Sequence, residues 1–367
     1  MSQYFSQSYT EGRQKFLAAA RSRGVCVHSY PHPLKGPGGE ALATDVAVLG
    51  DPNAPNVFFS ASAVHGVEGF YGSAAQSAAL FELQPPDDVR VVLIHAINPW
   101  GWSHLRRNNE DNVDLNRNFW VADECSPDNE GYQRVQDWAE ITGVDDSNIQ
   151  AASDAGQRIA AEIGLENMKI AMCAGQQCSE NGLFFIGGGY SWSRVVFENT
   201  LYRELKRARQ AVYLDLHTGL GPTGFADLLV TYSAGDWQLE LLAHYLDDRV
   251  RGHARDTATD QHTPGSTETG VNRCYQQFGV AGITVTAECG TLPLDQVLDA
   301  LRLEQAMHAY GDSQHPRFTE IKQLLRDAFY VDTPEWQSQV LEQTLGFFNG
   351  AVNCLHRETF PVSTDSD

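Results

Sequence analysis

Apolar residues come in short bursts along this chain, with polar stretches between them. VAVLG (46–50), NVFFSASAV (56–64), VRVVLIHAI (89–97), AVYLDLH (211–217), ADLLVTY (226–232) and GITVTAE (282–288) are rich in Val, Ile, Leu and Phe, without strict alternation. Runs of that kind predict strands buried on both faces. Longer segments of helical character lie among them. GSAAQSAALFEL (72–83) is Ala-rich and stops near Pro85-Pro86, and SRVVFENTLYRELKRA (193–208) and DWQLELLAHYLDDRV (236–250) follow. PLDQVLDALRLEQAMHAY (293–310) opens on a proline and an aspartate, which helix starts tolerate. Strands alternating with helices predict an α/β sheet covered by helices on both faces.

No internal repeat and no long Pro/Ser/Gly linker divides the chain, so one catalytic domain is expected over residues 1–367. The polar segment 119–182 reads as a helical excursion from the sheet, 315–360 as C-terminal helices, and PVSTDSD as a frayed tail. This organisation matters because ligand sites of open α/β sheets gather at the carboxyl ends of strands. Four predicted strands end in a polar residue of catalytic type: His65, Asn98, His217 and Glu288.

Charge narrows the function classes. With 47 acidic and 26 basic residues the formal net charge is −21, which repels nucleic-acid backbones and anionic membrane surfaces. No run approaches about 18 apolar residues, and the N-terminus lacks a signal-like core, so a cytoplasmic protein is expected. Seven cysteines, an odd number without paired short spacings beyond Cys173 and Cys178, fit reduced thiols rather than a disulfide framework.

The stretch ASAVHGVEGFYG (61–72) holds the first candidate chemistry. His65 and Glu68, three apart in a glycine-rich turn leading to a helix, can reach one ion, and His217 at the end of another strand can complete the set. Catalytic zinc commonly takes three such ligands and leaves a position open. Asp215 shares a strand face with His217 and is a candidate acceptor behind it. Taken alone, the His-x-x-Glu pair has a plain structural reading, since Glu68 also favours the positive end of the following helix.

INPWGWSHLRRNNEDNVDLNRNF (97–119) is the second. Arg106, Arg107 and Arg117 lie among asparagines, a composition suited to binding a carboxylate through paired charge-assisted hydrogen bonds. RNNEDNVDLNRNF resembles the arginine segment of the zinc carboxypeptidases, with its Asp-Leu-Asn-Arg-Asn-Phe core. The order of HxxE, NPxG, R…DLNRNF, a strand-end His and a strand-end Glu is similar to that family from about Val57 to Thr291. NPWGW departs from the family's turn in having tryptophan where aspartate is usual.

The resemblance implies a mixed, mostly parallel central sheet and one zinc ion per chain held by His65, Glu68 and His217. It further implies Glu288 as general base, Arg107 rather than its neighbour Arg106 as the oxyanion donor, and Asn116 with Arg117 as the grip on a terminal carboxylate. The family's mobile tyrosine would be Tyr275, expected in a loop before the glutamate strand, with Tyr232 and Tyr245 as rivals. The expected activity is a metallocarboxypeptidase acting on peptides. The alternative is an amidohydrolase of the aspartoacylase and succinylglutamate desuccinylase type, acting on N-acyl amino acids. Either substrate carries a free carboxylate. More remote readings are a serine hydrolase built on Ser191 and a binding module that keeps the pocket without the reaction. Arg273 is a candidate for setting a preference for acidic side chains, and an oligomer is compatible with everything above.

Overall fold

The computed structural model describes residues 1–121, 129–247, 250 and 265–361. Its strands are β1 (Val27–Lys35), β2 (Ala41–Leu49), β3 (Asn56–Ser62), β4 (Val89–His95), β5 (Gln210–Thr218), β6 (Ala226–Leu229) and β7 (Ala281–Cys289). They form one seven-stranded sheet in the order β1-β2-β4-β3-β5-β7-β6. The central strands β4, β3, β5 and β7 are parallel, and β1, β2 and β6 join antiparallel at the two sides. The mixed sheet with a parallel centre is thus observed. β1 was not expected from the pattern of residues. Its sequence VHSYPHPLK is mostly exposed and carries two prolines, which an edge strand paired only with β2 accommodates.

The helices are α1 (Tyr9–Ser22), α2 (Gly69–Glu82), α3 (Pro99–Ser103), α4 (Glu130–Ala139), α5 (Asp146–Ile163), α6 (Leu165–Cys173), α7 (Trp192–Leu205), α8 (Trp237–Tyr245), α9 (Thr267–Phe278), α10 (Leu294–Tyr310), α11 (Phe318–Phe329) and α12 (Pro334–Arg357). Helix α8 ends at Tyr245, short of the expected Val250, and residues 248 and 249 of that expectation lie outside the described residues. Residues 122–128 of the excursion, Cys125 included, and 362–367 of the tail also lie outside them. Neither α1 nor α9 was expected. Each begins at a serine cap, Ser8 and Ser266, which the sequence pattern alone does not distinguish from a loop serine.

Strand periodicity divides the core. Phe58, Val212, Leu214, Ile283 and Val285 pack in one apolar cluster with α2 and α12, while Val57, Phe59, Ala211 and Tyr213 pack in another with Phe197, Leu201, Val271 and Tyr275 of α7 and α9. Toward the carboxyl ends, the second face turns polar, presenting Asp215 and His217 on β5 and Thr286 and Glu288 on β7. A third cluster joins α4 and α6 to α10, α11 and Phe184, walling the space above those ends.

The turn carrying His65 and Glu68 is fixed from outside. Strand β3 stops where Ala63 adopts a left-handed conformation, with φ of 54°. The amides of Gly66 and Val67 then donate to the carbonyls of Arg107 (3.0 Å) and Arg106 (2.8 Å). A β-carbon at Gly66 would stand 2.2 Å from the Gly101 carbonyl carbon and 2.3 Å from the Trp102 nitrogen, both backbone. Gly66 is therefore required by close approach of two backbone segments rather than by flexibility. Gly66→Ala should cost about 1–3 kcal/mol in urea unfolding, the usual range for overpacking. Gly189→Ala, where an added β-carbon meets nothing within 4 Å, should leave the unfolding curve unmoved.

Candidate metal centre and substrate cavity

His65 follows the end of β3, Glu68 closes the short 3-10 turn after it, and His217 lies near the end of β5. Their donor atoms meet at one point. His65 Nδ1 is 2.8 Å from Glu68 Oε1, His217 Nδ1 is 3.0 Å from Glu68 Oε2, and the two Nδ1 atoms are 3.2 Å apart. One ligand atom from each residue lies within 4.8 Å of the others, and all three residues are buried.

The far sides of both rings face carboxylates. His65 Nε2 is 3.2 Å from Asp114 Oδ1, and His217 Nε2 is 3.1 Å from Asp215 Oδ2. On His65 a proton on Nε2, directed at Asp114, leaves Nδ1 with its lone pair toward the meeting point, which is the tautomer a metal needs; His217 Nε2 lies close to Asp215 without a hydrogen bond to it. Two imidazole nitrogens and one carboxylate form a donor set that suits zinc. The residues present fit that ion.

The electrostatics point the same way. Burial pushes the Glu68 carboxyl up, but the charges of His65 and His217 and their hydrogen bonds outweigh it and hold it well below the usual range. Burial works against a charged His217, yet the carboxylates of Asp215 and Glu68 overcome it and raise its pKa. A field that draws a proton onto a buried imidazole is one that a divalent cation satisfies. Asp114 is likewise pushed up by burial and pulled well below its ordinary value by Arg107 and His65.

These residues open into a cavity of about 200 Å³. Glu288 reaches it from β7, in register with His217 on β5, and its Oε1 accepts from the Leu220 amide at 3.1 Å. Burial raises the Glu288 carboxyl well above the ordinary range, and the nearby charge of Glu68 adds to the effect. Arg107 lines the cavity with its Nε donating to Asp114 Oδ2 at 2.9 Å. Arg106 points elsewhere, into a buried network with Glu304, Asn112 and Gln305.

Arg117 and Asn116 line the cavity as well. Arg117 donates from Nε and Nη2 to the Cys173 carbonyl and from Nη1 to the Asn116 carbonyl, at 2.9–3.0 Å. Two of its five N–H groups remain for a ligand. Asn116 Oδ1 accepts from the Thr267 amide at 2.9 Å, leaving its NH2 as the end that can donate.

Tyr275 requires correction. It lies on α9 rather than in a loop, is 4% exposed and packs under β7, where its ring blocks the space beside Gly282. Tyr232 bonds Thr284, Tyr245 bonds Glu358, and no tyrosine among the described residues lines the cavity. Arg273 is directed at the Phe119 carbonyl and does not line the cavity. Ser191 accepts from the Arg194 amide as the cap of α7 and donates its hydroxyl to Asn118 Oδ1. The reading of the residues gave no part to Asp114, although its place two positions before Asn116 in DLNRNF was a usable signal. It also gave none to Lys169, Glu268 or Thr286, which line the cavity from segments without a motif.

Asp114 grips both His65 and Arg107, so its loss should be felt at the ion. Asp114→Asn should weaken zinc binding about 10- to 100-fold in competition with a chelator, the usual effect of removing a ligand's supporting carboxylate. His65→Ala should abolish stoichiometric binding. An Asp114→Asn protein with undiminished affinity would show that the carboxylate does not support the ligand.

Comparison with known proteins adds the following. The sequence matches no curated protein. Among solved structures, carboxypeptidase A from Helicoverpa armigera is similar at 15% identity and a TM-score of 0.46, over 88% of this chain and 74% of that one. Bovine thrombin-activatable fibrinolysis inhibitor, solved with a tick carboxypeptidase inhibitor, is similar at 12% identity and 0.47, over 92% and 98%. A succinylglutamate desuccinylase from a Silicibacter species is similar at 14% identity and 0.35, over 83% and 65%. A family described as "Protein of unknown function (DUF2817)" matches residues 5–343, and this chain belongs to that family.

Proposed function

We propose that this chain is a zinc-dependent hydrolase that cuts an amide bond next to a free carboxylate, acting as a metallocarboxypeptidase on peptides. One observation carries the reading. The convergent His65, Glu68 and His217 donors share a single cavity with a buried carboxyl, Glu288, and with two arginines, Arg107 and Arg117. The ordered motifs of the sequence support the same division of labour.

Zinc held by the three residues would supply Lewis-acid polarisation of the substrate carbonyl and of water. Glu288 accepts the proton of the attacking water and returns it to the departing amine, a role that a raised carboxyl pKa serves near neutral pH. Arg107, held by Asp114, directs its remaining N–H groups at the oxygen that gains charge. Arg117 and Asn116 bind the terminal carboxylate and thereby fix which amide bond lies beside Glu288. None of these groups must be assembled during the reaction, because each already has a hydrogen-bond partner in the protein.

The amidohydrolase reading stays in view for one reason. A cavity of about 200 Å³ is smaller than the roughly 300–1,000 Å³ of pockets for drug-sized ligands, so it suits one amino acid and a short acyl group. The two substrates separate the readings. With zinc restored, N-benzoylglycyl-leucine should be hydrolysed faster than N-acetyl- or N-succinyl-amino acids, and the reverse order would favour the second reading. Glu288→Gln should lower kcat by about 10²–10⁴-fold with zinc content unchanged. Ser191→Ala should leave kcat as it is. Stoichiometric zinc without hydrolysis of either class would sink the proposal in favour of a binding module.

Arg117→Met should act on recognition. It should raise KM and erase the advantage of a free terminal carboxylate over its amide, compared in the same acylated dipeptide. An intact preference in that variant would show that the carboxylate is held elsewhere.

A further inference from the structure

Helix α6 reaches the cavity from the 119–182 excursion, a segment to which no motif of the sequence gives a role. It buries Met168 and Met172 in the cluster shared with α10 and α11, and it lines the cavity with Lys169 and Cys173. Those two residues are four apart and so share one face of the helix. The Cys173 carbonyl holds Arg117, and Lys169 stands one turn earlier, about 5.4 Å along the axis.

Lys169 is half-buried, and among the described residues no carboxylate pairs with it. The other cations of the cavity are committed in the proposed reaction. Arg107 bonds Asp114 and serves the oxyanion, and Arg117 takes the terminal carboxylate. Lys169 has neither a partner nor a task there. The wall that α10 and α11 add is apolar, with Leu294, Val297, Leu298, Leu301 and Phe329 lining the same cavity. An ammonium that gives up part of its hydration at such a cavity is stabilised by an anion that enters.

We propose that Lys169 binds a carboxylate on the acyl side of the scissile amide, so that the protein selects peptides with a glutamyl or aspartyl residue before the terminal one. The inference rests on the hydrolase reading of the site. With the terminal carboxylate on Arg117 and Asn116, the acyl part of the substrate lies across the scissile carbonyl from them and meets the wall built by α6 and α10. The methylene stem of an acidic residue packs on the α10 leucines, and its carboxylate accepts a charge-assisted hydrogen bond from the ammonium. Lysine suits this task because a point charge on a flexible stem does not demand the paired geometry of arginine. A glutaminyl residue leaves the ammonium without a counter-charge, and a lysyl residue is repelled. The net charge of −21 works against acidic peptides at long range, but salt screens that repulsion beyond about 8–10 Å, and the local cation decides.

The test uses the full-length, zinc-restored protein and its Lys169→Met and Lys169→Glu variants. N-acetyl-glutamyl-leucine, N-acetyl-glutaminyl-leucine and N-acetyl-lysyl-leucine are compared by kcat/KM. In the wild type the glutamyl substrate should lead and the lysyl substrate should come last. In Lys169→Met the glutamyl-to-glutaminyl ratio should fall about 10-fold, the low end for losing a hydrogen bond to a charged group, because Lys169 keeps some access to water. In Lys169→Glu the lysyl substrate should overtake the glutamyl one. Glutaminyl and glutamyl substrates cleaved equally by the wild type, or a ratio unchanged in Lys169→Met, would overturn the role of Lys169 and leave the hydrolase reading standing. If no substrate is cleaved, the hydrolase reading falls, and calorimetry with N-acetylglutamate and N-acetylglutamine decides Lys169 by itself. Tighter binding of N-acetylglutamate that Lys169→Met removes supports the assignment, and equal binding, or a preference that survives in the variant, overturns it.

Discussion

The convergence of two imidazole nitrogens on the Glu68 carboxylate is the interaction on which the rest of this structure depends. It brings two basic nitrogens within 3.2 Å of each other in a buried place, an arrangement that a proton or a metal ion must mediate. Three carboxylates, Glu68, Asp114 and Asp215, surround the pair and supply the negative field that makes a cation welcome there. Much of the local architecture serves to hold that cluster together. The left-handed turn at Ala63, the glycine contact between Gly66 and Gly101, and the backbone bonds to Arg106 and Arg107 all set the position of one short turn.

Positive charge is distributed with equal economy. Arg106 is committed to Glu304 in the interior, while Arg107 and Arg117 each keep donors directed into the cavity. Asp114 links the two halves of the site, since one oxygen faces His65 and the other binds Arg107. One carboxylate thus positions both a candidate metal ligand and the candidate oxyanion donor. The parallel centre of the sheet delivers His217 and Glu288 in register on adjacent strands, so the candidate base and the metal site share one rigid support.

The candidate site was legible in the sequence because it is written in local terms. His65 and Glu68 are three apart, DLNRNF is contiguous, and strand-end residues announce themselves at the close of apolar runs. What was not legible depends on distant packing. Strand β1 is an edge strand whose prolines break the expected pattern, and helix α9 has an amphipathic sequence interrupted by polar residues. Misreading α9 as loop had consequences at the site. It left Tyr275 as a candidate for the cavity when its ring belongs to the core, and it hid Glu268, which the first turn of that helix carries to Thr286 on β7. No spacing in the sequence relates those last two residues, because their meeting is a property of the tertiary fold. Arg106 and Arg107 show the intermediate case, adjacent in the chain and separated only by the direction of their side chains.

The most direct measurement is anomalous diffraction at the zinc edge from crystals of the zinc-restored protein. The account predicts one peak, contacted by His65 Nδ1, Glu68 and His217 Nδ1 at about 2.0–2.2 Å, the distances usual for zinc with nitrogen and oxygen ligands. A peak elsewhere, or none between these three residues under conditions that load the protein, would contradict it.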